Sequence, residues 1–280
     1  MAIDVAIATA EDTATGRPAR PEDTTAPRWP PLMGAAYLAA LLALDHYATY
    51  PEQLALGVLT WLVLAAALTR VPLERRAQAL GVVAFATIGE VTGSLIWGVY
   101  TYRLHNLPLF VPPAHGLVYL TGLSLALALR QHTRVLVAAA AVAATTWGLL
   151  GLTVLPRRDV AGAIGVPLLL LFLWRGRNRA VYAGVFLVVA SLELYGTAIG
   201  TWRWAHDLPG LGIPNGNPPS GVASGYVWFD VMALLVAPYL VALTRRFGRS
   251  RTLDAASDDF RAAAESLRAT RPFPIHRKAP

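Results

Sequence analysis

The chain has 280 residues, 55% of them apolar and 15% charged, and its 24 Lys and Arg against 17 Asp and Glu give a net charge of +7. Its charges lie mostly between long apolar runs, which excludes a soluble domain with charge spread over every surface and indicates a polytopic membrane protein. The absence of cysteine excludes disulfides, thiolate metal sites and a cysteine nucleophile, and nothing resembles the clustered soluble basic face that nucleic-acid binding needs.

Residues 1–29 are rich in Ala, Thr, Pro and mixed charge without an apolar stretch, so they read as a disordered cytoplasmic tail and not a signal peptide. Residues 30–244 read as an all-α transmembrane helical bundle. Crossing the ~30 Å hydrocarbon layer takes about 20 helical residues, and eight segments read as long enough to cross it: 32–50, 51–69, 78–100, 113–130, 134–154, 160–175, 180–202 and 222–244. The sixth is short and contains Pro167. Residues 245–280 begin with Arg245, Arg246, Arg249 and Arg251, and then place Leu253, Phe260, Ala264 and Leu267 at helical spacing. That pattern suits a short amphipathic helix on the membrane surface, with a solvated, frayed tail as the alternative.

Arginine sets the expected orientation. The loops after the second, fourth and sixth segments carry Arg70, Arg75 and Arg76, then Arg130 and Arg134, then Arg175, Arg177 and Arg179. The opposite loops carry Arg103, Arg157, Arg158 and Arg203. Because Lys and Arg are retained on the cytoplasmic side, both termini are expected to be cytoplasmic in a multi-pass protein of the cell membrane. Loops 101–112 and 203–221 then face outward.

Those loops belong to a motif that occurs twice. Its first copy reads Glu90-Val-Thr-Gly93, then Trp97, Tyr100 and Tyr102, then Pro112-Pro113-Ala-His115-Gly116. The second reads Glu193-Leu-Tyr-Gly196, then Trp202 and Trp204, then Asn217-Pro218-Pro219-Ser220-Gly221. An offset of four helices preserves orientation, so the bundle reads as two parallel four-helix repeats.

Asp45, Glu90, Glu193 and Asp230 all fall within apolar segments, where an acid at the helix centre costs about 2.5–3.5 kcal/mol. Neutralisation, hydrogen bonding or a wet cavity must reduce that cost. The topology sets these four acids and His115 on five helices, able to converge below the outward loops. They are the candidate catalytic groups. For each acid the plain alternative is a hydrogen bond to a neighbouring helix, and for His115 a capping or interfacial position. Helical spacing sets Glu90, Gly93 and Trp97 on one face, with a notch at the glycine and an indole above it, and sets Glu193, Gly196 and Gly200 likewise.

Trp97, Tyr100, Tyr102, Trp202, Trp204 and Tyr226 fall near outer helix ends, where an aromatic belt is ordinary. They also suit the mouth of an apolar cavity, where π faces stabilise a developing cation. With Asn106, Asn215 and Asn217 of the two proline-stiffened loops, which read as re-entrant lids, they form the candidate substrate-binding set.

Several enzyme classes fall away. The single lysine, Lys278, lies in the tail, so no retinal Schiff base can form in the bundle. The six histidines are too scattered for a membrane di-iron centre. Val222-Ala-Ser224-Gly225 lacks the first glycine and the later histidine of a rhomboid-type protease. No Gly-x-Gly-Asp sequence accompanies Asp45 or Asp230.

The pattern Glu90-x-x-Gly93 with Tyr100-x-Tyr102, followed by Glu193, Trp202-x-Trp204 and Gly212-Ile-Pro-Asn215, resembles the integral-membrane carotenoid hydratases of the bacterioruberin pathway. The resemblance covers residues 85–115 and 190–230, while Pro112-Pro113-Ala-His115-Gly116 and Asn217-Pro-Pro-Ser-Gly221 depart from it. It implies hydration, cyclisation or isomerisation of an isoprenoid lipid. Such chemistry begins when a carboxylic acid kept protonated by an apolar site protonates a carbon–carbon double bond. Glu90 or Glu193 would be that acid and a second carboxylate the base, with no metal or cofactor required. The partners expected are the bilayer and a lipid or isoprenoid substrate. Midplane acids in a parallel repeat also suit a proton-coupled transporter, or a noncatalytic lipid-binding subunit.

Overall fold

The structure, a computed structural model, describes residues 30–244. The predicted N-terminal tail and C-terminal amphipathic helix lie outside the described residues. Eight helices follow one another: α1 (Pro31–Tyr47), α2 (Tyr50–Thr69), α3 (Leu73–Glu90), α4 (Val111–Ala128), α5 (Thr133–Thr153), α6 (Val160–Arg175), α7 (Arg179–Ile199) and α8 (Val222–Thr244). A π-helical segment, Val91–Ile96, extends α3, and a 3-10 turn, Arg130–His132, leads into α5. Residues 30–238 form one unit, and residues 239–244 at the end of α8 fall in another.

This is an all-α helical bundle. Six of its helices are long and apolar enough to cross a membrane: α2, α4, α7, α8, α3 with its π segment, and α5 with its 3-10 turn. The other two predicted spans are shorter. α1 has 17 residues and α6 has 16, or roughly 24–26 Å at ~1.5 Å per residue. The reason is local capping. Ala48 turns extended after α1, and the Thr49 backbone N–H donates to Glu52 at 2.7 Å to start α2. Asp159 caps α6 through Gly162 N, and the helix stops at Gly176.

α4 is the most buried of the candidate spans and packs against α1, α2, α3 and α7. Glycine makes its closest approach possible. A Cβ on Gly122 would lie 2.6 Å from the Val185 backbone, and one on Gly184 of α7 would strike the Gly122 carbonyl. Small residues at such crossings let transmembrane helices meet backbone to backbone. Facing outward are large apolar side chains such as Leu62, Val142 and Ile164, the face a bundle presents to lipid.

Two short ribbons interrupt the helical pattern. β1 (Tyr100–Tyr102) pairs antiparallel with β2 (Trp202–Trp204), setting Tyr100 opposite Trp204 and Tyr102 opposite Trp202. The helices before them end sooner than predicted, because Gly98 and Gly200 take φ of +74° and +80° and turn the chain into the strands. β3 (Asp207–Leu208) and β4 (Ile213–Pro214) form a hairpin that turns through Gly210 and Gly212, both at positive φ.

Candidate functional site

A period of two places Tyr100, Tyr102, Trp202 and Trp204 on one face of the β1–β2 ribbon and Thr101 and Arg203 on the other. The four aromatic side chains line an apolar cavity of about 260 Å³ whose walls come from α1, α3, α4, α7 and α8. Tyr100 and Trp204 pack at 4.5 Å between ring centroids, and Tyr102 and Trp202 at 6.1 Å. Such pairs contribute about 0.5–1.5 kcal/mol beyond their buried area.

Glu90, at the α3–π junction, is the most heavily bonded group in the cavity wall. Its Oε2 accepts the hydroxyls of Tyr100 and Tyr102, both at 2.6 Å, and its Oε1 lies 2.9 Å from His115 Nε2. Three donors on two oxygens match the acceptor-only valence of a carboxylate. His115 Nε2 donates in that arrangement, and its Nδ1 is buried without a hydrogen-bond partner. His115 sits in the first turn of α4, where Pro112 and Pro113 start the helix, and its ring stacks on Tyr226 of α8 at 5.0 Å.

Glu193 of α7 lines the same cavity. Trp202 Nε1 donates to its Oε2 at 2.9 Å, and Trp204 and Tyr226 stand beside the carboxyl. Each glutamate is thus held by an aromatic donor from the ribbon strand that follows it in sequence. The glycine notches work in the same paired way: a Cβ at Gly93 would lie 2.9 Å from the Tyr100 ring, and one at Gly196 would strike the Trp202 ring.

The expected indole above the first notch is elsewhere. Trp97 is 45% exposed, lies outside the cavity lining, and donates its Nε1 to Pro209 O in the turn between β3 and β4. The π segment inserts one residue between Glu90 and Tyr100 relative to the interval from Glu193 to Trp202. It turns Trp97 off the face that a regular helix would give it, and Tyr100 takes the place over the glycine.

Of the five ionisable candidates, Glu90, Glu193 and His115 converge, and Asp45 and Asp230 do not. Asp45 lies in the last turn of α1, where its Oδ1 accepts Gln53 Nε2 at 2.7 Å and lies 3.9 Å from Arg103. Asp230 lies one turn beyond Tyr226 on α8, with its Oδ2 buried and unpartnered. Among the binding candidates, Tyr100, Tyr102, Trp202, Trp204 and Tyr226 line the cavity, whereas the three asparagines fasten loops. Asn106 Nδ2 donates to Gln53 Oε1 at 2.7 Å, Asn215 Nδ2 to Ala205 O at 3.2 Å, and Asn217 Oδ1 accepts Trp204 N at 2.9 Å.

Both outward-predicted loops are therefore pinned. Arg103 donates to the carbonyls of Asp45 and Ala48 at the α1–α2 corner, and Arg157, from the α5–α6 corner, donates to those of Trp204 and Ala205. Burial pulls the Arg157 guanidinium below its usual value, against the attraction of Asp207 and Asp159. Asp159 was not singled out from sequence, yet it is the principal anchor of the second loop. Its carboxylate accepts Gly162 N and Gly216 N at 2.9 Å, and Ser220 N and Oγ at 2.6 Å. The Arg-Arg-Asp-Val-Ala-Gly stretch 157–162 held a helix-start signal for it. Phe229, which also lines the cavity, carried no signal beyond its place on an apolar helix.

Among the described residues no three His, Asp or Glu side chains are grouped to hold a metal ion. No protein-family model, curated protein or solved structure matches the chain.

Proposed function

We propose that this protein is an integral membrane enzyme that moves protons to and from a carbon–carbon double bond of an apolar, isoprenoid-type lipid. The observation that carries this reading is the pairing of two differently bonded glutamates on one apolar cavity beneath four aromatic rings. Glu90, satisfied by three donors, serves as the base. Glu193, bonded by the Trp202 indole, serves as the acid.

In the step proposed, the Glu193 carboxyl gives its proton to one alkene carbon and becomes a carboxylate, while the other carbon becomes cationic beneath the faces of Trp202 and Tyr100. In hydration a water oxygen adds to that carbon and its surplus proton passes to Glu90. In isomerisation or cyclisation Glu90 takes a proton from carbon, and a new double bond forms. Return of the proton from Glu90 to Glu193 closes the cycle without net proton change. The cavity lies below the ~300–1,000 Å³ usual for drug-sized ligands, which suits the reacting end of a long chain. The resemblance to carotenoid hydratases points to the same chemistry.

The arginine-rich loops after α2, α4 and α6 support a cell-membrane topology with cytoplasmic termini, eight crossings and the β1–β2 ribbon outside. Two parallel repeats, α1–α4 and α5–α8, are supported by the paired notches at Gly93 and Gly196, the paired turns at Gly98 and Gly200, and the antiparallel register of the two strands. Two glutamates sharing one cavity are also what a proton-coupled transporter needs, and that is the second reading. Mass spectrometry of lipid extracts from cells with and without the protein tests the first. Product is expected from the wild type and should be lost in Glu193→Gln and Glu90→Gln. An unchanged lipid profile, with proton-driven uptake by proteoliposomes, would replace the enzyme with the transporter.

A further inference from the structure

We infer that the cavity opens sideways into the bilayer between α3 and α8, and that Gly225 and Phe229 set the girth of the apolar chain that passes. This deepens the lipid-substrate reading by naming the route, and rests on that reading for the class of occupant. Val222, Gly225, Tyr226 and Phe229 recur at helical spacing and turn one face of α8 to the cavity. Gly225 belongs to that wall and is exposed at the same time. A Cβ built on it meets no atom within 4 Å, so the wall is open where a side chain would otherwise stand.

Across the gap, Gly89 of α3 also lines the cavity. A Cβ there would lie 2.6 Å from the tip of the Phe229 ring, so that ring fills the space Gly89 leaves, one turn along α8 from the open space at Gly225. The flanks suit lipid and not water. Ile88 on α3 is 64% exposed and Trp228 on α8 is 46% exposed, and α3 carries no charged residue between Arg76 and Glu90. On the loop side the cavity is lined by Tyr100, Tyr102, Trp202 and Trp204 of the bonded ribbon.

Because the chain has no cysteine, single cysteines report access without turnover. Val118→Cys places a thiol on the α4 wall of the cavity, and Leu149→Cys places one on an α5 face that is 58% exposed. In liposomes, a long-chain N-alkyl maleimide dissolved in the bilayer is expected to modify Val118→Cys. The rate should fall about tenfold or more when Gly225→Leu is added, since bulk in a fitted opening excludes the chain, and should rise when Phe229→Ala is added. Leu149→Cys should react at one rate in every background, and a membrane-impermeant charged thiosulfonate should leave Val118→Cys unmodified.

An unchanged rate with Gly225→Leu, faster reaction with the charged reagent, or no reaction of Val118→Cys with the maleimide would overturn the portal. Should Gly225→Leu fail to fold, Phe229→Ala decides alone, and no acceleration overturns it. Gated labelling without any isoprenoid product would remove the reaction and keep the portal. Product formation with ungated labelling would do the reverse.

Discussion

The tyrosine hydroxyls on Glu90 offer a measurement of how tightly the site is preorganised. Tyr102 is 5% exposed and donates to Glu90 Oε2 at 2.6 Å. A hydrogen bond to a charged acceptor contributes about 1.5–3 kcal/mol, so Tyr102→Phe, which removes only the hydroxyl, should cost about that much. Glu90→Gln keeps the shape but replaces one acceptor oxygen with an amide NH2, setting donor against donor toward two tyrosines or His115. Breaking a buried charged network of this kind costs about 3–5 kcal/mol. In the double variant the missing hydroxyl can no longer be left unpaired, so the losses should sum to less than the two singles, with a coupling of about 1–2 kcal/mol. Thermal unfolding in detergent, followed by the fluorescence of the eight tryptophans, reads these differences at about 2–4 °C per kcal/mol. Additivity within about 0.3–0.5 kcal/mol would refute the bonded network.

Two further perturbations probe what surrounds the site. Asp159→Ala should lower the unfolding temperature by about 6–15 °C, because it strands the backbone donors of Gly162, Gly216 and Ser220 in a buried corner; a shift under about 2 °C would show that water replaces the carboxylate at little cost. Gly122→Val, at the α4–α7 crossing where even a Cβ would lie 2.6 Å from Val185 backbone, should reduce the yield of monodisperse protein on size-exclusion chromatography more than Gly225→Ala, at a helical glycine whose Cβ meets nothing, and the reverse order would contradict the packing described.

The helices were legible because long apolar runs have few alternatives to crossing a bilayer. Glu90 and Glu193 were legible because an acid in such a run needs company. His115 was weighed as a cap and lies against Glu90, whereas Asp45 and Asp230 were expected with them and stand apart. The difference is that Asp45 meets Gln53 of α2 and Arg103 beyond β1, partners that no local spacing announces. Trp97 was misplaced for a geometric reason, since a helical wheel assumes 3.6 residues per turn and the π segment Val91–Ile96 does not keep it. The ribbon escaped notice because a strand of three residues is too short to show periodicity. Arg103 and Arg157 counted only as charges for topology, while their guanidinium groups are fasteners for backbone carbonyls.

For the enzyme proposed above, the antiparallel ribbon would set where the slow step of its cycle lies. In many enzymes the pace is governed by a loop that swings on a hinge to admit substrate and release product. Here the strands that bear Tyr100, Tyr102, Trp202 and Trp204 are laced to one another and staked to two helix corners by Arg103 and Arg157, so swinging one means unlacing both. A ceiling of that stiffness holds its aromatic rings fixed. Under the proposed function the clock would then be kept in the plane of the membrane, by the time a chain takes to slide past Phe229 and diffuse away.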